Sequence, residues 1–505
     1  MKKNFIFRIK HGLFLLAILM VFPLTVSARN LIMARAADAT GLDPHTQTAF
    51  ASLRLLELIY EPLVVLDEKL NIVPALAESW SFSSDGKVLT FKLRKGVTFH
   101  DGSKMTAKDV IASFNRILTE KTGAATRANF LSIQSIEKQG QYTVVFYLSS
   151  PDVPILTAMT DTNASIISSD IISNGNPSKE AIGTGPFVLN SWSPDEKTML
   201  KANKKWWGSG PFVDGIEIRI LPDESSILAA LRAGKIDFAL INDPLVATML
   251  KGSSKIKLNR ATAISYHVLQ LNSSRTPLNK LEVRQAISCA IDRQEVLDTA
   301  SLGEGQVTGP LTIPAYQLSP GEYFCYKKDV EFSKKLLKNA GWSSGVKLKA
   351  IVASAEPPTS LSEAQNIQAQ LAKVGIEMEI ESLELSVYIQ RWLKADFDMA
   401  VAHNSGRADP YTMYNRYWTK KGNLQKVSKY IDDKLDRLMT EGRVETEPKR
   451  RKRIFADFQK HLVKQAPWIW LYTGFEYTAQ QSYVTGFVPM SNDSLYFLHQ
   501  VRLSK

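Results

Sequence analysis

Between Val213 and Ile241 the chain passes from strand to helix and back to strand, and no other stretch restricts the fold as much. Val213 to Leu221 reads as a strand, Pro222-Asp223 turns it into a helix over Ser225 to Arg232, and Ile236 to Ile241 is a second strand. Gly234 stands where a helix stops, because only glycine enters the left-handed C′ conformation freely. A strand, a crossover helix and a further strand build a mixed α/β sheet. The C-terminal half repeats the grammar. A helix over Val330 to Asn339 stops at Gly341, a strand runs from Val346 to Val352, a helix covers Leu361 to Val374, and a strand follows over Ile376 to Leu383. The fold class is therefore α/β, and helical bundles and all-β sandwiches are disfavoured. Earlier in the chain, Leu53 to Ile59 has helical spacing closed by Pro62, and Val88 to Leu93 alternates as a strand after the Ser84–Lys87 turn. Thr106 is placed to N-cap a helix over Ala107 to Leu118, with Asp109 complementing its dipole. Tyr142 to Leu148 reads as a further strand, and Gly183-Thr184-Gly185-Pro186 as a sharp loop.

The first residues belong to a different problem. Lys2, Lys3, Arg8 and Lys10 precede an apolar run, Leu13 to Val26, and Val26-Ser27-Ala28 places small residues where signal peptidase cuts. Residues 1–28 are read as a signal peptide cleaved after Ala28, since the run is short of a membrane span. No cysteine near Ala28 offers a lipid anchor, so the mature chain is expected in the periplasm. What remains is too long for one ordinary core, and two or three substructures are expected. With 22% charged and 44% hydrophobic residues the composition is globular. The net charge of +12 suits a solvated basic surface, since an exported protein rarely meets nucleic acid. The two cysteines, Cys289 and Cys325, make neither a disulfide framework nor a metal site. Cys289 sits in an apolar helical stretch, Val283 to Leu297, and Cys325 in a Tyr/Pro-rich loop; an oxidising compartment leaves a bridge between them open.

Catalytic patterns fail on context. Gly341-Trp342-Ser343-Ser344-Gly345 spells a serine-hydrolase elbow, but an elbow needs a strand before the serine and a helix after it, the reverse of what stands here. Gly303-Glu304-Gly305 with Gly309 lacks dinucleotide spacing. Seven scattered histidines form no metal constellation, and His100-Asp101 reads better as a turn than as a catalytic pair. The basic run Lys449 to Arg453 opens a helix with the apolar stripe Ile454, Phe455, Phe458 and Leu462, so it reads as a solvated face rather than a nucleic-acid patch. No enzyme, cofactor or metal is expected.

Several segments carry a resemblance. Leu42-Asp43-Pro44-His45, Ile59-Tyr60-Glu61-Pro62-Leu63 and Pro74 to Trp80 lead into Leu89 to Val97, Phe99-His100-Asp101-Gly102, Thr106-Ala107, Asp109-Val110, Ser113-Phe114 and Arg116. Gly183 to Phe187, Ala230 to Asp237, Val283 to Ile287 and Pro467 to Tyr472 continue it. Together they resemble family 5 of the extracellular solute-binding proteins, the dipeptide, oligopeptide and nickel receptors of ABC importers. The resemblance implies a type II-like periplasmic-binding-protein fold, two main lobes on a hinge plus an extra lobe. Lobe I would comprise residues 29–60, 183–270 and 475–505, lobe II residues 61–182, and lobe III residues 271–474. It further implies a monomer that closes on its ligand between lobes I and III and delivers it to permease and ATPase subunits in the inner membrane.

Family peptide binders hold the ligand as an added strand through backbone groups. By resemblance, Thr48-Ala49-Phe50 supplies one edge and Ala402-His403-Asn404 the other, the latter two residues ending a strand over Asp398 to Ala402. The following loop, Ser405-Gly406-Arg407-Ala408-Asp409-Pro410-Tyr411, carries the family's Asp-Pro. Peptide receptors usually place an aspartate four residues before that proline to pair with the ligand's α-amino group; here Gly406 stands there, followed by Arg407. Arg407 is expected either to receive an acidic group of the ligand or to pair with Asp409 or another acid. Trp392 and Tyr411, with the neighbouring aromatics, offer stacking faces. A peptide is the leading ligand, with an opine, a saccharide or a metal complex as alternatives because of Gly406, and a secreted hydrolase as the remote one.

Overall fold

The computed structural model describes residues 29–342, 345–354 and 357–504. The signal-peptide reading of residues 1–28 and the Ser343 of the elbow spelling lie outside the described residues. Among those described, no helix is long and apolar enough to cross a membrane.

Three sheets organise the chain. A seven-stranded sheet takes the order Ile256–Thr262, Phe475–Gln481, Phe238–Ile241, Leu31–Arg35, Gly215–Ile220, Lys197–Ala202, Phe187–Ser193. The predicted strand–helix–strand unit is present, with helix Glu224–Arg232, but its two strands are not neighbours. Leu31–Arg35 lies between them, parallel to both. A six-stranded sheet runs Gln306–Val307, Trp468–Thr473, Tyr266–Leu271, Met399–Asn404, Val346–Ala353, Ile376–Leu383. The third, Ala77–Phe82, Val88–Leu93, Thr143–Leu148, Ile133–Lys138, is antiparallel.

Side-chain alternation explains how these sheets are covered. In Val88–Leu93 only Leu89, Phe91 and Leu93 are buried, so this sheet packs one face, partly against helix Ala107–Leu118. Tyr266–Leu271 is buried on both faces: Tyr266 and Val268 enter a core rich in Trp392, Trp468 and Trp470, while Leu269 and Leu271 enter the one holding Cys289. Cys289 and Cys325 are joined as a disulfide. The stretch Val283 to Leu297 is not one helix. Asp292 accepts from the amides of Gln294 and Glu295 and starts a second helix, Arg293–Ser301, after Leu281–Ala290 ends. The solvated reading of the basic run holds for Lys449, Arg450, Lys452 and Arg453 but fails for Arg451, which is buried against Asp409 at 2.8 Å. His100 pins the 183–186 loop, its Nε2 lying 3.0 Å from the Gly185 carbonyl and its Nδ1 accepting from the Gly183 amide, so the structural reading of His100-Asp101 holds.

The Asp43-Pro44-His45 motif has a physical role of its own. Arg116, on helix Ala107–Leu118, forks onto the Asp43 carboxylate and donates to His45 Nδ1 at 2.8 Å. A guanidinium only donates, so Nδ1 is unprotonated and Nε2–H donates to the Ser165 carbonyl at 2.9 Å. Burial, with Arg116 adding to it, lowers the His45 pKa to about 4 from 6.5. The folded state thus refuses a proton that the unfolded chain accepts. The stability contributed by neutral His45 is fully present above pH 6.5 and is lost as pH falls toward 4. Urea unfolding at pH 7 and pH 4.5 should show a smaller loss for His45→Gln than for the parent. Equal losses would mean that His45 takes up its proton alike in the folded and the unfolded chain.

Candidate functional site

Three contiguous chambers, of about 920, 680 and 610 Å³, share Phe50 in their walls, and the third is lined by strands of both the seven-stranded and the six-stranded sheet. Phe50 opens helix Phe50–Leu56, and its ring stacks on His403 at 5.1 Å with 6° between planes. His403 stacks in turn on His267 at 4.5 Å, and His267 on Tyr472 at 4.2 Å. The last three rings sit on adjacent strands, where His267 is the partner of both His403 and Tyr472. This places them on one face of the sheet, as cross-strand neighbours must be. Buried Glu363 anchors the ladder, lying 2.8 Å from His267 Nδ1 and accepting from the Tyr472 hydroxyl at 2.6 Å. Burial works to raise the Glu363 pKa, but the His267 ring and the hydrogen bonds around it outweigh burial and hold the carboxyl below its usual range. His403 is pushed well down by burial and by His267, so it faces the chambers as a neutral imidazole.

The largest chamber is lined by charges of both signs. Arg54 pairs with Glu57 at 3.3 Å, and Glu57 also accepts from the Ser494 hydroxyl and the Leu495 amide, both at 2.7 Å. Glu476 accepts from Ser265, and burial, with Asp493 nearby, pushes its pKa up to about 8. Burial raises Asp493 as well. Glu476 therefore holds a proton near neutrality and presents a donor as well as an acceptor oxygen.

The second chamber brings together Thr48, Phe50, Trp392, Ala402, His403 and Asn404. The strand expected to end at Ala402 continues to Asn404, because His403 and Asn404 remain paired with His267 and Tyr266. Among the described residues its pairing with Val346–Ala353 extends only over Met399 and Ala400, and beyond it the Val401 carbonyl accepts from the Tyr388 hydroxyl at 2.9 Å. Trp392 is fixed by donating to Gln270 at 2.7 Å. Gly406 and Arg407 line the largest chamber instead. A Cβ on Gly406 would lie 1.8 Å from the Ile264 carbonyl oxygen, so close backbone approach demands glycine. Arg407 does pair internally, but with Asp161 at 3.0 Å and not with Asp409. Asp409 and Tyr411 line none of the chambers. Asp409 caps helix Pro410–Trp418 and pairs with Arg451, while Tyr411 is buried beneath the Arg443 guanidinium. Sequence reasoning missed Arg54, Glu57, Glu476, Asp493, His267 and Arg416. The one local signal was Arg54 and Glu57 embedded among the leucines of a short helix.

Chambers lined by a strand end and paired charges suit enclosure of a solute. The model for bacterial extracellular solute-binding proteins, family 5, matches residues 71–425, and the chain belongs to this family. Among solved structures, the Helicobacter pylori periplasmic binding protein DppA in complex with the peptide STSA is similar, with a TM-score of 0.86 and 30% identity over 94% of this chain and 98% of that one. AgaA of A. tumefaciens R10, in complex with agropinic acid, matches at a TM-score of 0.88 and 26% identity over 94% and 98%. The dipeptide-binding protein of Pseudomonas aeruginosa is 27% identical over 94% of this chain and 95% of its own length. The fold is thus the type II periplasmic-binding-protein architecture, and the class of the protein is a solute receptor of an ABC importer.

Proposed function

We propose that this chain is the periplasmic receptor of a peptide importer, holding an extended ligand between Thr48-Ala49-Phe50 and Ala402-His403-Asn404 and handing it to the membrane permease. The observation that carries this is the strand edge at Ala402-His403-Asn404, paired on this side by no described strand and lining the 680 Å³ chamber that Thr48 and Phe50 also line. Backbone groups there recognise any peptide main chain, which leaves selectivity to the chamber walls. In this reading residues 29–60, 183–270 and 475–505 form one lobe, 271–474 the opposing lobe and 61–182 the extra one, in a monomer released by cleavage after Ala28. Gly406 supports a second reading, in which the solute is opine-like: no carboxylate stands at that position to meet an α-amino group, and AgaA holds agropinic acid.

Native mass spectrometry of the purified protein, followed by calorimetry with di- and tripeptides and with agropinic acid, separates the two. Peptide binding should raise the melting temperature in proportion to the logarithm of ligand concentration, with no turnover. Small-angle scattering should show a smaller radius of gyration with ligand, as hinge closure requires. Agropinic acid binding without peptide binding selects the second reading, and hydrolysis of any bound peptide overturns both.

A further inference from the structure

Arg416 lies in helix Pro410–Trp418, a helix buried on every side, and is itself only 8% exposed. It lines the second chamber among Tyr388, Trp392, Tyr417 and Leu424. Other buried arginines have found their counter-groups. Arg54 pairs with Glu57, Arg407 with Asp161, Arg443 with Asp152 and Arg451 with Asp409. Arg284 and Arg293, without acids, donate to backbone carbonyls instead. Among the described residues Arg416 has no carboxylate within ion-pair distance, and its buried Nε has no hydrogen-bond partner. The guanidinium lies over the face of Tyr417, 4.9 Å from its centroid. A guanidinium cannot shed its proton to escape burial, so a site that keeps one unpaired is built to receive an anion.

We propose that the second chamber is an acid-selecting subsite, in which Arg416 receives a carboxylate of the bound solute while Trp392, Tyr388 and Tyr417 enclose the apolar stem that carries it. This rests on the reading of that chamber as part of the ligand cleft. A guanidinium fork matches a carboxylate in two parallel bonds, and the water-poor aromatic walls strengthen both. Arg407 on the preceding loop is already neutralised by Asp161, which leaves Arg416 as the cation open to the ligand. The carboxylate could belong to an acidic side chain or to a peptide C-terminus, and the probes distinguish them.

Calorimetry would compare Ala-Glu-Ala, Ala-Gln-Ala and Ala-Glu-Ala amide on the parent, Arg416→Gln and Arg416→Lys. The parent should favour the carboxylate form at one of the two positions at least tenfold; Arg416→Gln should abolish that preference and Arg416→Lys keep part of it. Loss against Ala-Gln-Ala assigns a side-chain acid, and loss against the amide assigns the terminus. A preference absent from the parent, or unchanged in Arg416→Gln, overturns the subsite while leaving peptide binding intact; no binding by any probe sinks the peptide reading and the subsite with it. A ligand-free measurement guards against a merely structural arginine. Arg416→Met should melt no lower than the parent, because an unpaired buried charge has been replaced by an apolar chain. A fall of more than about 5 °C would show that the protein itself satisfies the guanidinium.

Discussion

Placing aspartate at position 406, where peptide receptors usually carry it, is expected to damage this protein rather than improve amine binding. The new Cβ would sit 1.8 Å from the Ile264 carbonyl oxygen and 2.3 Å from its carbon. Ile264 cannot yield easily. Its amide donates to the Ser491 carbonyl at 2.9 Å, and its oxygen accepts from the Thr312 hydroxyl. Overpacking of this kind costs about 1–3 kcal/mol, and occasionally more. The carboxylate adds a second cost, because it would enter beside a carbonyl oxygen while the adjacent Arg407 is already held by Asp161. Gly406→Asp should therefore lose at least about 3 kcal/mol of unfolding free energy, and Gly406→Ala about 1–3 kcal/mol. Urea unfolding of both variants, with calorimetry on the identified ligand, provides the check. A Gly406→Asp protein as stable as the parent, with tighter binding of amine-bearing ligands, would show that the 405–409 loop can retreat from Ile264.

Gly406 marks how far the sequence could be read. Local elements were legible wherever periodicity and caps agreed. Val88–Leu93, Ala107–Leu118, Val330–Asn339 and Ile376–Leu383 have the bounds that their patterns predict. Thr106 caps its helix as expected, and Asp109, expected only to complement the dipole, also closes a reciprocal cap with it. Strand order was not legible. Nothing in Leu31–Arg35 says that it will separate two strands nearly two hundred residues later in the chain, since a strand buried on both faces is merely apolar. The two edges proposed to hold the ligand came from family resemblance, not from periodicity. The charged chamber was invisible because Arg54, Asp161 and Glu476 meet only through the fold. Arg416 was missed for a different reason. The helix Pro410–Trp418 is wrapped by protein all round, so burial turned an ordinary arginine into an unpaired one.

Arg443→Ala is expected to cost about 3–5 kcal/mol, among the largest effects of any single substitution in the chain. Asp152 has no side-chain exposure, and the Arg443 guanidinium and the Ser132 hydroxyl share one of its oxygens while the other has no hydrogen-bond partner. Arg443 belongs to helix Asp433–Val444, next to the six-stranded sheet, whereas Asp152 follows strand Thr143–Leu148 of the antiparallel sheet. The Val153 amide also donates to the Arg443 carbonyl, and the guanidinium covers the Tyr411 ring at 4.9 Å. Truncating Arg443 leaves a buried carboxylate with a single hydroxyl for company and opens space over Tyr411. The cost comes from the stranded charge more than from the lost attraction, so removing both charges should recover most of it. Asp152→Asn in the Arg443→Ala background should therefore be more stable than Arg443→Ala alone, whereas independent sites would simply add their losses. Because neither residue lines the chambers, ligand selectivity should be unchanged in any variant that folds. Urea unfolding of the full double-mutant cycle gives the coupling energy directly. Additive losses would mean that Asp152 gives up its charge when Arg443 is absent, and that the join between the two sheets rests on the Val153 backbone bond and apolar contacts instead.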